Sequence, residues 1–172
     1  SNRESCSSLT PELLEATLSP GSSITEEKTA IICNSIEKGD VIFMFDLTGS
    51  MRQELNNAKV NSLNIMGAIR TVMGDAQFGV VSHMDYDGVY VGCGYDDHYG
   101  TVSNGDYPYQ LNHSITSDEL AVADSINSLN IGFGWDYPES YARVLYELSA
   151  SDAGIGWRQG SKKIVVAWLD NQ

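Results

Sequence analysis

The chain is 172 residues long, with 23 acidic against 10 basic side chains and a formal charge of −13. That length suits one ordinary domain, and 42% apolar residues are enough to build a core. The negative excess argues against nucleic acid and suits divalent cations, and no window approaches the roughly 18 continuous apolar residues of a membrane span.

Residues 1–39 are rich in Ser, Thr and Glu and read as a β-rich N-terminal extension. They carry no charged-then-apolar leader, so an exported form is expected to have lost its signal already. Arms over 13–18 and 23–32 around Ser19-Pro20-Gly21-Ser22 predict a hairpin. Cys6 and Cys33 flank it. Three widely spaced cysteines, Cys6, Cys33 and Cys93, fit no zinc-binding spacing. Pairing Cys6 with Cys33 would staple the hairpin's open end and point to an oxidising, extracellular or cell-surface setting. Cys93 is left over.

From residue 40 the texture changes to alternating strand and helix signals, the mark of an α/β domain with a largely parallel sheet. Val41-Ile42-Phe43-Met44-Phe45 is a continuous apolar run suited to a strand buried on both faces. A helix is expected from about Ser50 to Gly74, its inner stripe being Leu55, Ala58, Ile65, Ile69 and Val72. Strands are expected over 77–84 and 109–116. A second helix follows, capped by Ser117 or Asp118, and a third runs over 138–150 with Pro138 near its first turn. The last strand spans 162–169. The chain then stops at Asp170-Asn171-Gln172, just past a strand of central character, so a fragment or a complementary polypeptide completing the sheet is expected.

Asp46-Leu47-Thr48-Gly49-Ser50 stands where the first strand of this domain hands over to the first helix. Alternate residues of such a turn bring three oxygens to one point, the ligand type that hard cations take. Open α/β sheets also place ligands at the carboxyl ends of their strands. The same residues equally suit an N-cap, and both readings stand.

Asp46-Leu47-Thr48-Gly49-Ser50-Met51 closing an apolar strand resembles the metal-ion-dependent adhesion site (MIDAS) of von Willebrand factor A (vWA) domains, written Asp-x-Ser/Thr-x-Ser. Four further segments resemble the A domain of integrin β subunits in the same order. They are Phe78-Gly79-Val80-Val81-Ser82-His83-Met84-Asp85, Asp136-Tyr137-Pro138-Glu139-Ser140, Ile155-Gly156-Trp157-Arg158 and Lys163-Ile164-Val165-Val166-Ala167-Trp168-Leu169-Asp170. The likeness covers residues 40–172 and extends to secreted microbial A domains, so it identifies a domain type. It implies a Rossmann-like, mostly parallel sheet flanked by helices, its C-terminal part missing. Asp46, Thr48 and Ser50 would then form the first metal loop for Mg²⁺ or Mn²⁺, with Asp170 adding a carboxylate through water. Glu139 would touch that ion and a neighbouring Ca²⁺, whose other ligands align with Asp85, Asp136 and the Pro138 carbonyl. The family's asparagine ligand is Gly134 here. Where the family has two consecutive acids for a third cation this chain has Gln53-Glu54, leaving Glu54 alone. Taken singly, Asp136 and Glu139 also suit a helix cap and a first-turn acid.

Six of the nine tyrosines, Tyr86, Tyr90, Tyr95, Tyr99, Tyr107 and Tyr109, fall within 86–109 together with five glycines. A loop of that length and composition resembles a binding surface, and in integrin β subunits the specificity-determining loop lies in this interval. His83, His98 and His113 carry no assignment, and Asn112-His113-Ser114 is a glycosylation sequon. The function expected is a metal-dependent adhesion module, not an enzyme. Its cation would coordinate a carboxylate of a protein partner at a helix N-terminus that favours anions. The alternatives are an extracellular domain whose metal only stabilises the fold, and a Mg²⁺-dependent phosphoryl-transfer enzyme with Asp46 as nucleophile.

Overall fold

The structure, a computed structural model, describes residues 8–11, 13–31, 38–86, 105–132, 140–150 and 154–170. Two compact units divide the chain, Ser1–Ser35 and Ile36–Gln172. In the first, β1 (Ser8–Thr10) pairs antiparallel with β2 (Thr29–Ile31), Leu9 facing Ala30. Ser22 N–H donates to Ser19 O across the expected turn at 3.0 Å. The ladder is therefore much shorter than the expected arms. Leu13, Leu18 and Ile24 are 70%, 48% and 50% exposed, and arms with no apolar face to bury gain little from pairing.

The second unit is α/β. Its strands are β3 (Lys38–Asp46), β4 (Asp75–His83), β5 (Gln110–Thr116) and β6 (Lys162–Trp168), in the order β5-β4-β3-β6. β3 runs parallel to both β4 and β6, while β5 runs antiparallel to β4. The sheet is thus mixed: its β4-β3-β6 part is parallel, as expected, and β5 adds an antiparallel edge.

Alternation along β3 builds two cores. Val41, Phe43 and Phe45 point to one face, where Leu55, Ala58 and Met66 of α1 (Arg52–Val72) and Val122 and Ile126 of α2 (Glu119–Ser128) meet them. Ile42 and Met44 point to the other, against Val144 and Leu148 of α3 (Tyr141–Ser149). Helices on both faces make the run Val41-Ile42-Phe43-Met44-Phe45 continuously apolar, because neither face meets water. Phe43, Phe45 and Phe78 are each 1% exposed or less, and such a burial stabilises by about 1.5–3 kcal/mol. Trp168 extends this core to β6, stacking on Phe45 at 4.6 Å.

Local chemistry sets the helix ends. Asp118 caps α2 by accepting the Ala121 N–H at 3.1 Å. α1 buries Leu55, Ala58, Ser62 and Met66, with Ile65 and Ile69 packed partly against the core. Val72, expected on that stripe, is 72% exposed. Ser62 takes an inner position because its hydroxyl donates to Lys59 O of its own helix at 3.4 Å. Gly79 in β4 has no room for a side chain: a Cβ there would lie 2.8 Å from Ile42 Cδ1 and 2.9 Å from His113 O. No helix among the described residues is long and apolar enough to cross a membrane.

At the amino ends of β3 and β4, Arg158 forms a knot of contacts. Its backbone N–H donates to Asp40 Oδ2 at 2.6 Å and its guanidinium to Gly39 O at 2.8 Å and Asp75 O at 2.9 Å. It also forms ion pairs with the Asp40 and Asp75 carboxylates. The Ser161 hydroxyl donates to Asp40 Oδ2 at 2.7 Å, so Asp40, fully buried, has both a counter-charge and hydrogen bonds.

Candidate functional site

β3 ends at Asp46, and the chain turns through Leu47 and Thr48 into a short 3-10 turn, Gly49–Met51, that leads into α1. Leu47 N–H donates to His83 O at 3.0 Å and Gly132 N–H to Leu47 O at 2.8 Å, which ties this turn to the end of β4 and to the segment after α2. Leu47 and Met51, each 1% exposed, anchor it in the core. The polar residues of the turn are left to face one another.

Asp46 Oδ1 accepts two hydrogen bonds from Thr48, one from the backbone N–H at 2.8 Å and one from the hydroxyl at 2.7 Å. The Thr48 and Ser50 hydroxyls lie 3.5 Å apart. Ser50 Oγ in turn donates to Asp170 Oδ2, although the two residues are 120 positions apart in sequence. The pairing of Phe45 with Trp168 explains this meeting, since it sets the carboxyl ends of β3 and β6 side by side. The group is graded in depth: Asp46 and Thr48 are buried, Asp170 is half-buried and Ser50 is exposed.

A fifth oxygen belongs to Tyr141, the first residue of α3. Its hydroxyl donates to Asp46 Oδ2 at 3.1 Å and stands 3.5 Å from Asp170 Oδ1. The ring meets His83 edge to face, with centroids 5.1 Å apart and planes at 85°. Ser140, just before α3, holds the helix start to the end of β4, its hydroxyl 2.5 Å from Met84 O and 3.0 Å from Pro108 O. Sequence reasoning missed Tyr141, because no spacing rule links the first turn of one helix to the tip of a strand 95 residues earlier.

Among the described residues, both carboxylates of this group have neutral donors only. Among the described residues no Lys, Arg or His forms an ion pair with Asp46 or Asp170. The nearest titratable neighbour on β4 is His83, fully buried. Burial pushes its imidazole below the usual value, and the Asp46 charge opposes this only in part. A buried carboxylate without a cationic partner is costly, and proteins usually answer the cost with a partner or a metal. The donor set, two carboxylates and two aliphatic hydroxyls, fits a hard cation such as Mg²⁺. No cluster of three or more His, Cys, Asp or Glu among the described residues forms a metal site, so a cation held here would have to draw on the hydroxyls as well.

The remaining candidates divide. Asp85 lies just past β4 and is 2% exposed. Glu54 is exposed on the first turn of α1 and shares no hydrogen bond with the Asp46 group. Asp136, Pro138 and Glu139 lie outside the described residues, as do Tyr90, Tyr95, Tyr99, Cys6, Cys33 and Cys93. Of the other tyrosines, Tyr86 is 38% exposed, whereas Tyr107 and Tyr109 pack against the two cores. Burial raises the Tyr107 phenol above its ordinary value, partly offset by a 2.7 Å hydrogen bond with Ser82. No protein-family model and no curated protein sequence matches this chain.

Proposed function

We propose that residues 40–172 form a vWA-type binding module of the integrin-β-like kind, and that Asp46, Thr48, Ser50 and Asp170 hold a divalent cation, Mg²⁺ or Mn²⁺. One observation carries this reading: oxygens from the tip of β3, the turn after it and the tip of β6 form one hydrogen-bonded group whose carboxylates form no ion pair with a cationic side chain among the described residues. The parallel β4-β3-β6 arrangement also supports it, since ligands of open α/β sheets sit at the carboxyl ends of the strands. The ion supplies Lewis acidity and an open coordination position. The residues supply the rest: Asp46 and Thr48 form a buried floor, while Ser50 and Asp170 form a rim open to solvent.

The ligand is the carboxylate of an acidic side chain on a protein partner, which suits both the cation and the start of α1. This is a binding role rather than a catalytic one, and the setting is extracellular or the cell surface. A neighbouring Ca²⁺ site would draw on Asp85, Asp136, Pro138 and Glu139. A complementary polypeptide is the second partner: β6 ends the strand order, and Val165 and Leu169 on it and just past it are 38% and 40% exposed.

Thermal melting with and without Mg²⁺ tests the reading. At a hundredfold excess over its dissociation constant, the ion is expected to add about 2.7 kcal/mol of stability, and Asp46→Ala to remove that gain. Melting that is the same in MgCl₂ and in EDTA would falsify the cation site.

A further inference from the structure

We infer that Tyr141 is a positioning residue of the cation site, its phenol orienting the Asp46 carboxylate for the ion without ligating it. The inference rests on the metal reading above and names a residue that the vWA likeness does not assign. Asp46 is held at both oxygens. Thr48 fixes Oδ1 with two hydrogen bonds, and the Tyr141 hydroxyl fixes Oδ2 at 3.1 Å. With a donor on each oxygen, rotation about the Cβ–Cγ bond is locked and the carboxylate has little orientational freedom to lose when an ion arrives. The same hydroxyl stands 3.5 Å from Asp170 Oδ1, so one phenol oxygen lies within reach of both negative charges.

A phenol has a single proton and donates it to one carboxylate at a time; the shorter distance gives it to Asp46. It is also a poorer cation ligand than the carboxylates around it, which leaves it the outer position. The scaffold behind it is packed against the sheet. Tyr141 opens α3, whose Val144 and Leu148 are buried, and its ring lies edge-on to the buried His83. The ring contacts need only a phenyl group. The hydroxyl is the part they do not explain.

The test is calorimetric titration of MgCl₂ into the full chain and into Tyr141→Phe, with Tyr146→Phe as the control. Tyr146 lies on the same helix and is 67% exposed. Loss of a hydrogen bond that orients a metal ligand typically weakens metal binding about 10–100-fold. Tyr141→Phe is therefore expected to bind Mg²⁺ about tenfold more weakly, with melting in EDTA somewhat lowered because a buried carboxylate oxygen loses its donor. Tyr146→Phe is expected to match the parent chain in both measurements. A purely structural tyrosine would lower melting in EDTA and leave the Mg²⁺ dissociation constant unchanged. That result, or equal Mg²⁺ affinity in Tyr141→Phe and the parent, overturns the inference while leaving the cation site standing. Absence of Mg²⁺ binding by the parent chain itself overturns both.

Discussion

The two ends of β3 each carry a buried aspartate, and the fold surrounds them in opposite ways. At the amino end, Asp40 meets a guanidinium, a backbone N–H and a hydroxyl. At the carboxyl end, Asp46 meets a backbone N–H and two hydroxyls, with no guanidinium among the described residues. Hydrogen bonding is similar at the two sites; the counter-charge is what differs. A carboxylate whose cation is built into the chain serves the fold at all times. One surrounded by neutral donors keeps its charge available to something from outside.

Substitutions at the two ends should therefore differ in sign. The largest effect is expected from Arg158→Ala. It strips a fully buried carboxylate of its partner and should cost about 3–5 kcal/mol in urea unfolding. Next comes Asp46→Asn, which removes charge at the end with no built-in cation. In EDTA it should stabilise the protein by about 1 kcal/mol, while abolishing the gain from Mg²⁺. If it destabilised the metal-free protein as much as Arg158→Ala does, the two ends would not differ in kind.

The smallest effect concerns pH. The Arg158 hydrogen bond holds the Asp75 carboxyl below the ordinary carboxylate value. A carboxyl lowered in the folded state adds stability that is present above its unfolded pKa, near 3.9, and is lost as pH falls through the lowered folded value. Asp75→Asn should accordingly flatten the acid limb of a melting-versus-pH curve below about pH 4. Near neutrality, where the ionised Asp75 contributes in full, it should lower melting slightly.

Much of the second unit was legible because its signals are local. Val41-Ile42-Phe43-Met44-Phe45 announces a two-sided strand, Asp118 announces a cap, and Asp46, Thr48 and Ser50 follow a spacing that lets one turn gather their oxygens. Asp170 entered only through the family resemblance, which aligns it just past an apolar strand. What was missed depends on where segments meet. The strand over 110–116 has the same texture whichever way it runs. The useful hint lay before it, since 84–109 has no helical periodicity of the kind a parallel crossover normally carries. Tyr141 joins the site through packing of α3 against the sheet, which leaves no local trace. The N-terminal arms have the composition of strands but no core to receive them.

The contact between Ser50 and Asp170 closes a loop of 120 residues. Entropically, an ion held there would act as a detachable crosslink, restricting the ways the chain can open. Fraying of β6 from β3 would carry Asp170 away and take the site apart. Occupancy by an ion and closure of the sheet edge would then be two sides of one equilibrium: whatever holds β6 in place would also tighten the grip on a cation bound there.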